Sequence, residues 1–244
     1  MRLIVAGSTG FVATELIHQA LSHPAVSSVV ALGRRQTPVP PGADPAKLKS
    51  VVCDDFEHYP DSVKHELAGA DACIWTIAVT PSRARTMSWE HVCKISRDYA
   101  IAGIETISRL PRHDASNSLR FIYVSGSNAE RDPAKKPWIL GDYCLMRGDA
   151  ESRILTFAQQ SEGAVQAAVA KPGLIDGPGR SGPLVKALQT VGCTVFGLPQ
   201  VQVSEIAATL LDQAVNGFEK DTLLNDDLVR IGQRALATRR QAAS

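Results

Sequence analysis

An apolar strand, Arg2-Leu3-Ile4-Val5-Ala6, runs directly into Gly7-Ser8-Thr9-Gly10-Phe11-Val12-Ala13. A strand that must turn into a helix within a few residues needs backbone freedom, and Gly7 supplies it. Gly10 removes a side chain from the face of the turn, and Ala13 permits close helix–strand packing. The helix that follows turns unpaired N–H groups and the positive end of its dipole back over the glycines. That arrangement accepts the pyrophosphate of a dinucleotide, with Gly7, Ser8, Thr9, Gly10, Phe11 and Val12 against it. A glycine pair also marks ordinary strand-to-helix turns, so the rest of the chain must support the reading.

It does so through alternation. Strand-like runs fall near residues 2–6, 27–32, 49–53, 71–78, 119–125 and 165–171, and helical patterns near 11–22, 61–68, 88–110, 141–160 and 203–216. Strands separated by helices imply parallel pairing with right-handed crossovers. Runs such as Val26–Leu32 and Phe121–Val124 are largely apolar, as strands buried on both faces should be. The predicted fold is α/β: a doubly wound parallel sheet (Rossmann fold), helices on both faces, and a small C-terminal appendage on the substrate side. Residues 1–244 read as one domain, with cleft elements mainly from 126–142 and 174–202. Thr37-Pro38-Val39-Pro40-Pro41-Gly42 reads as a surface loop, because alternation continues beyond it, and the Arg- and Ala-rich tail after Leu236 reads as frayed.

Composition narrows the function classes. The 244 residues are 44% hydrophobic and 21% charged, enough apolar content for a full core. A net charge of +1 indicates no general attraction to nucleic acid or anionic membranes. No apolar run is long enough to cross a bilayer, and Leu3-Ile4-Val5 is too short for a signal-peptide core, so a cytoplasmic location is expected. Cys53, Cys73, Cys93, Cys144 and Cys193 lie far apart, with Cys53 and Cys73 reading as reduced core residues. His65-Glu66 suggests a zinc helix, but Gly69 stands where the second histidine is needed, so no metal site is expected.

In such sheets ligands sit beyond the carboxyl ends of the strands. After the second strand, Gly33-Arg34-Arg35 lacks the acid that an NAD site uses for the ribose 2′-hydroxyl. Arg34 and Arg35 suit a 2′-phosphate instead, favouring NADP(H); otherwise they are solvated loop arginines. After the third strand, Asp54 or Asp55 would accept from the adenine amino group, or else cap the following helix. After the fourth, Thr76-Ile77-Ala78-Val79 offers small apolar contacts, Ile77 and Ala78 flanking the cofactor. Gly177-Pro178-Gly179-Arg180-Ser181-Gly182-Pro183 lacks the Lys-Ser/Thr ending of a triphosphate loop and reads as a cleft border. Trp89 and Trp138 are candidates for the pocket wall, with core packing as the alternative.

The glycine fingerprint resembles that of the extended and atypical short-chain dehydrogenase/reductases. Tyr143-Cys144-Leu145-Met146-Arg147 is similar to their Tyr-x-x-x-Lys element. Lys171-Pro172-Gly173-Leu174-Ile175-Asp176-Gly177-Pro178 is similar to their Arg-Pro-Gly segment after the sixth strand. Asp55-Phe56-Glu57 and Arg97-Asp98-Tyr99 look most like the branch of the Tat-interacting oxidoreductase. The resemblance spans residues 2 to about 216.

It implies reduction of a small-molecule carbonyl, with Tyr143 as general acid and Lys171, Pro172, Gly173 and Ile175 beside the nicotinamide. Arg147 would stand for the lysine that favours tyrosinate and holds the ribose. On a helix Tyr143 and Arg147 share a face, but a guanidinium neither relays a proton nor occupies an ammonium's position. The usual orienting hydroxyl aligns with Gly126, between Ser125 and Ser127, either of which would serve after a shift or else merely form a turn. The alternatives are a regulator that senses NADP(H) without turnover and a non-redox isomerase or cyclase. A monomer or homodimer is expected, because the stripe on the 88–110 helix suits either subunit pairing or its own sheet.

Overall fold

Neighbouring residues of the first strand belong to different cores. Leu3 and Val5 pack into one apolar layer, whereas Ile4 and Ala6 pack into a second on the opposite face. A strand with side chains alternating between two buried faces must lie inside a sheet covered on both sides. The computed structural model describes residues 1–112, 117–178 and 199–243, and side chains to residue 241.

In chain order the sheet strands are β1 (Arg2–Ala6), β2 (Ser28–Gly33), β3 (Leu48–Val52), β4 (Ala72–Trp75), β5 (Leu119–Val124) and β6 (Val165–Lys171). A short pair follows, β7 (Leu174–Asp176) with β8 (Gln200–Gln202), and then β9 (Thr222–Leu224). The seven-stranded sheet runs β3-β2-β1-β4-β5-β6-β9, every pair parallel. The strand order reverses between β1 and β4, which opens the crevice where ligands sit in such sheets. This is the Rossmann arrangement.

One face carries α1 (Phe11–Leu21), with two helices of the C-terminal third packed beside it. The other carries α2 (Asp61–Leu67), the helical stretch that spans 89–108, and the long helix that bears Tyr143. The 89–108 stretch is not one regular helix. After a short turn, α3 (Pro81–Ala84), come α4 (Trp89–Cys93), a π-helical turn at Lys94–Asp98, and α5 (Tyr99–Ser108). Its apolar stripe lies on its own sheet: Tyr99, Ala100, Ile104 and Ile107 are buried in the second core layer. Gly103 admits the Trp75 ring so closely that a Cβ would overlap it.

The helix with Tyr143 is α6 (Gly141–Gln160). Next come α7 (Val203–Asn216) and α8 (Asn225–Ala243). The terminal helix corrects the expectation of a frayed tail. Leu228 and Ile231 are fully buried against the first core layer, and that anchor holds a helix that continues to Ala243. The fourth strand is shorter than expected, ending at Trp75, so Thr76–Val79 form a loop at the mouth of the crevice. β7–β8 and β9 were missed because three-residue strands carry too little pattern to register. Gly179–Pro183 and Cys193 lie outside the described residues.

Candidate active site

The glycine turn is built by backbone geometry. Gly7 has φ +85°, a left-handed conformation that disfavours any residue with a Cβ. A Cβ there would also lie 2.6 Å from Thr76 Oγ1 and 3.1 Å from Ile77 Cγ1. The turn therefore presses against the loop after β4 so closely that only glycine fits. Gly7 and Ser8 N–H groups donate to the Leu32 carbonyl (2.8 and 3.2 Å), and Gly10 N–H closes the turn on Gly7 O (2.8 Å). Ser8 is fully buried. Its hydroxyl accepts from Thr37 Oγ1 (2.7 Å) and sits where a Cβ on Gly33 would lie, so the side chain shapes the turn from beneath.

Gly10 offers no side-chain cap to α1 and no acid stands in the helix's first turn, so the positive end of its dipole faces the glycine turn. Thr9 and Gly10 are exposed at that end. Val12 turns into the core, while the Phe11 ring lies where a Cβ on Gly177 would reach, joining the turn to the segment after β7. The left-handed glycine turn and the exposed Thr9 and Gly10 at the start of α1 fit a dinucleotide pyrophosphate.

Around the turn, Arg34 and Arg35 are exposed, and neither forms an ion pair with a described residue. Asp54 is also exposed. The Asp55 carboxylate accepts from Glu57 N–H (3.0 Å) and meets His58 Nδ1 (3.0 Å). Those two contacts, the backbone donor first, hold it below the ordinary carboxylate range. Phe56 is buried among the Tyr59, Trp75 and Tyr99 rings. Ile77 and Ala78 are half-buried on the crevice loop.

Tyr143 reaches across to that same loop. Its phenol donates to the Val79 carbonyl (2.7 Å), which brings α6 to the end of β4, next to the strand that feeds the glycine turn. Burial pushes the phenol pKa up, and the Arg147 charge opposes the shift without reversing it. Arg147 is itself buried. Its Nη2 donates to Val124 O (2.7 Å), Nη1 lies 3.4 Å from Ser96 O, and the guanidinium stacks 4.8 Å from the centre of the Tyr123 ring. The Ser96 carbonyl belongs to the π-helical turn at Lys94–Asp98. Tyr123 Oη donates to that carbonyl too (2.7 Å), and Ser96 Oγ accepts from Val79 N–H (3.0 Å).

Ser125 and Ser127 differ sharply. Ser125 Oγ donates to Glu151 Oε1 (2.5 Å), whereas Ser127 is exposed and, among the described residues, its hydroxyl makes a single 3.4 Å contact, with Asn128. Ser127 N–H donates to Pro172 O (2.8 Å). A Cβ on Gly126 would meet nothing within 4 Å. Lys171 Nζ donates to Ala129 O (2.7 Å) and meets Glu151 Oε2 (3.1 Å). Pro172 is buried, Gly173 N–H donates to Asn225 Oδ1 (3.0 Å), and Ile175 packs against the first core layer. Trp138 is 97% exposed and Trp89 48%, so neither is a core residue.

The model of the NAD(P)H-binding family matches residues 7–214, from the glycine turn to the end of α7. The chain belongs to that family. Its curated relatives include Protein FMP52, mitochondrial, of Candida albicans (strain SC5314 / ATCC MYA-2876), 25% identical over 246 residues, covering 95% of this chain and 98% of the relative. Among solved structures, MoeE5 in complex with UDP-glucuronic acid and NAD is 17% identical with a TM-score of 0.67, covering 92% of this chain and 76% of that one. The dTDP-glucose 4,6-dehydratase DesIV of Streptomyces venezuelae gives 16% and 0.67, with 97% and 81% covered. Vestitone reductase of alfalfa, Medicago sativa, gives 21% and 0.65, with 91% and 76% covered. These likenesses establish the fold. Family and fold together make this an NAD(P)H-binding Rossmann scaffold. No described helix is long and apolar enough to cross a membrane.

Sequence reasoning missed the Val79 carbonyl, Ser96, Arg131, Glu151 and Asn225. One had a readable signal. The buried stripe of α6 runs Cys144, Arg147, Gly148, Glu151, Ile154, so an acid falls in register with its core face. An acid on such a stripe needs a partner.

Proposed function

We propose that this family member is an NADPH-dependent reductase of a small-molecule carbonyl compound. The observation that carries the reading is the Tyr143–Val79 hydrogen bond, which sets a protonated phenol at the crevice beside the glycine turn. The nucleotide would be held by Gly7, Thr9 and Gly10 at its pyrophosphate, by Arg34 and Arg35 at a 2′-phosphate, and by Pro172 and Gly173 at its nicotinamide end. When bound, the reduced nicotinamide supplies the hydride.

Tyr143 Oη gives its proton to the substrate carbonyl oxygen and exchanges the Val79 acceptor for that oxygen. Burial keeps the phenol in its protonated, donating form at neutral pH while also making it a weaker acid, a cost that the Arg147 charge opposes. The positive charge of Arg147 offsets part of the phenolate that remains until solvent returns a proton. Of the two serines, Ser127 has the hydroxyl available to orient the carbonyl, because Ser125 is bound to Glu151.

A second reading, a cofactor-binding regulator without turnover, draws on the engagement of Arg147 by main-chain carbonyls. Fluorescence titration with NADPH and NADH, followed by turnover against a panel of aldehydes and ketones, separates the two. NADPH preference with turnover supports the reductase. NADPH preference with none supports the regulator, and failure to bind either nucleotide overturns both.

A further inference from the structure

Glu151 has no exposed surface, and it stands on α6 about two turns beyond Tyr143. Its Oε1 accepts from Ser125 Oγ (2.5 Å), and its Oε2 accepts from Arg131 Nε (2.7 Å) and Lys171 Nζ (3.1 Å). The two cations extend the reach: Lys171 Nζ donates to Ala129 O (2.7 Å) and Arg131 Nη2 to Thr222 Oγ1 (3.1 Å). One carboxylate thus joins α6 to the ends of β5 and β6, to the 125–131 loop and to β9.

The same loop is fastened to α6 by other means. A Cβ on Gly148 would overlap the Glu130 carbonyl, and Glu130 N–H donates to Cys144 O (3.0 Å), one residue from Tyr143. At its other end, Ser127 N–H donates to Pro172 O (2.8 Å). The loop therefore bridges the helix of the phenol and the strand end assigned to the nicotinamide, with Glu151 at the centre of the bridge.

Stability alone is a poor reason for such a group. Burying a carboxylate between cations gains little over well-packed apolar residues, although breaking the set is costly. Apolar layers already hold β5 and β6 together. What the carboxylate adds is directional: two oxygens fix where Ser125, Arg131 and Lys171 stand relative to α6.

We propose that Glu151 is a positioning residue that sets the 125–131 loop and the Lys171–Gly173 strand end against Tyr143, and so places the nicotinamide half of the cofactor. This rests on the nucleotide placement proposed above. It predicts a split between the halves of the ligand. The adenosine side is held by β1, β2 and α1, none of which Glu151 touches, whereas the nicotinamide side depends on the bridge.

The test uses the full chain with Glu151→Gln and Ser125→Ala. Affinities are measured for NADPH and for 2′-phosphoadenosine diphosphoribose, which lacks the nicotinamide, together with thermal unfolding and kcat on the best carbonyl of the panel. For Glu151→Gln, NADPH binding should weaken about tenfold while the truncated ligand stays within about twofold, and kcat should fall about 100-fold, as misplacement of reacting groups by an ångström does. Ser125→Ala, which strands no buried charge, should shift the same ratio about threefold with little change in melting temperature, and it decides the matter if Glu151→Gln does not fold.

Equal weakening of both ligands, or of neither, overturns the proposal. If the parent binds NADPH but turns over no carbonyl, the reductase reading fails while the affinity ratio still decides the role of Glu151. If the parent does not bind NADPH, both fall.

Discussion

The two halves of the crevice are made differently. On the β1–β4 side, the site consists of backbone: a left-handed Gly7, the N-terminal end of α1 and carbonyls that close the turn. On the β5–β6 side, it consists of side chains bound to one another, with Arg147 on Tyr123 and Glu151 between Ser125, Arg131 and Lys171. Backbone sites demand particular residues at particular spacings, because a positive φ favours glycine and a blocked Cβ position admits nothing else. Side-chain networks demand only that their partners meet, and the partners here come from distant parts of the chain.

The largest expected effect tests whether the second half performs chemistry at all. Tyr143→Phe should lower kcat by about 10²–10⁴-fold, the usual range for a lost general acid, with NADPH affinity within about twofold by fluorescence titration. If affinity is lost along with turnover, the phenol belongs to binding, and the contrast between the halves dissolves.

Next comes the backbone half. Gly7→Val combines a disfavoured φ with a Cβ placed against Thr76, and should weaken NADPH and NADH alike on the order of 100-fold. Binding that survives it would show that the turn is not the phosphate site.

A smaller effect belongs to the arginine pair on which the proposed NADPH preference rests. Replacing Arg34 and Arg35 by alanine should cost about tenfold in NADPH affinity, at the low end for charge-assisted hydrogen bonds because both are exposed, and leave NADH unchanged. Equal loss for both nucleotides would assign the arginines to general electrostatics.

The mildest effect is on stability, and it involves both halves. Burial raises the pKa of Tyr59 and Cys73 on one side and of Tyr123 and Tyr143 on the other. Groups with raised values favour the folded state while protonated. Their contribution is complete below the unfolded values, about 8.5 for cysteine and about 10 for tyrosine, and is lost as pH climbs through the folded ones. Melting temperatures should therefore hold to about pH 8.5 and decline above it, and a flat profile to pH 11 would show that these groups do not couple to folding.

The same contrast explains what was legible in the sequence. The sheet, the glycine turn and the Tyr143 helix follow from periodicity and from residues whose conformational demands are local. Arg147 and Ser125 were legible as candidates by position, but their directions were not. A buried arginine has several carbonyls within reach, and its acceptors Val124 and Ser96 lie 23 and 51 residues away along the chain, the second in a π-helical turn that no hydrophobic pattern announces. Glu151 was readable as an acid on a buried stripe, but its partners lie 20 or more residues away along the chain. The terminal helix was obscured because its polar face outweighs the few apolar residues, Leu228 and Ile231, that anchor it.

The π-helical turn at Lys94–Asp98 also bears on how this protein tolerates changes in length. Such a turn accommodates an extra residue in an otherwise regular helix. Deleting one residue there would let the stretch relax to a regular α-helix with both flanks kept in phase, whereas a deletion within 99–108 would rotate everything beyond it by about 100°. In the first case Tyr99, Ala100 and Ile104 keep their places on the sheet and Gly103 still faces Trp75. Natural variants and engineered libraries of this chain should therefore accept a single-codon deletion at 94–98 more readily than one within 99–108.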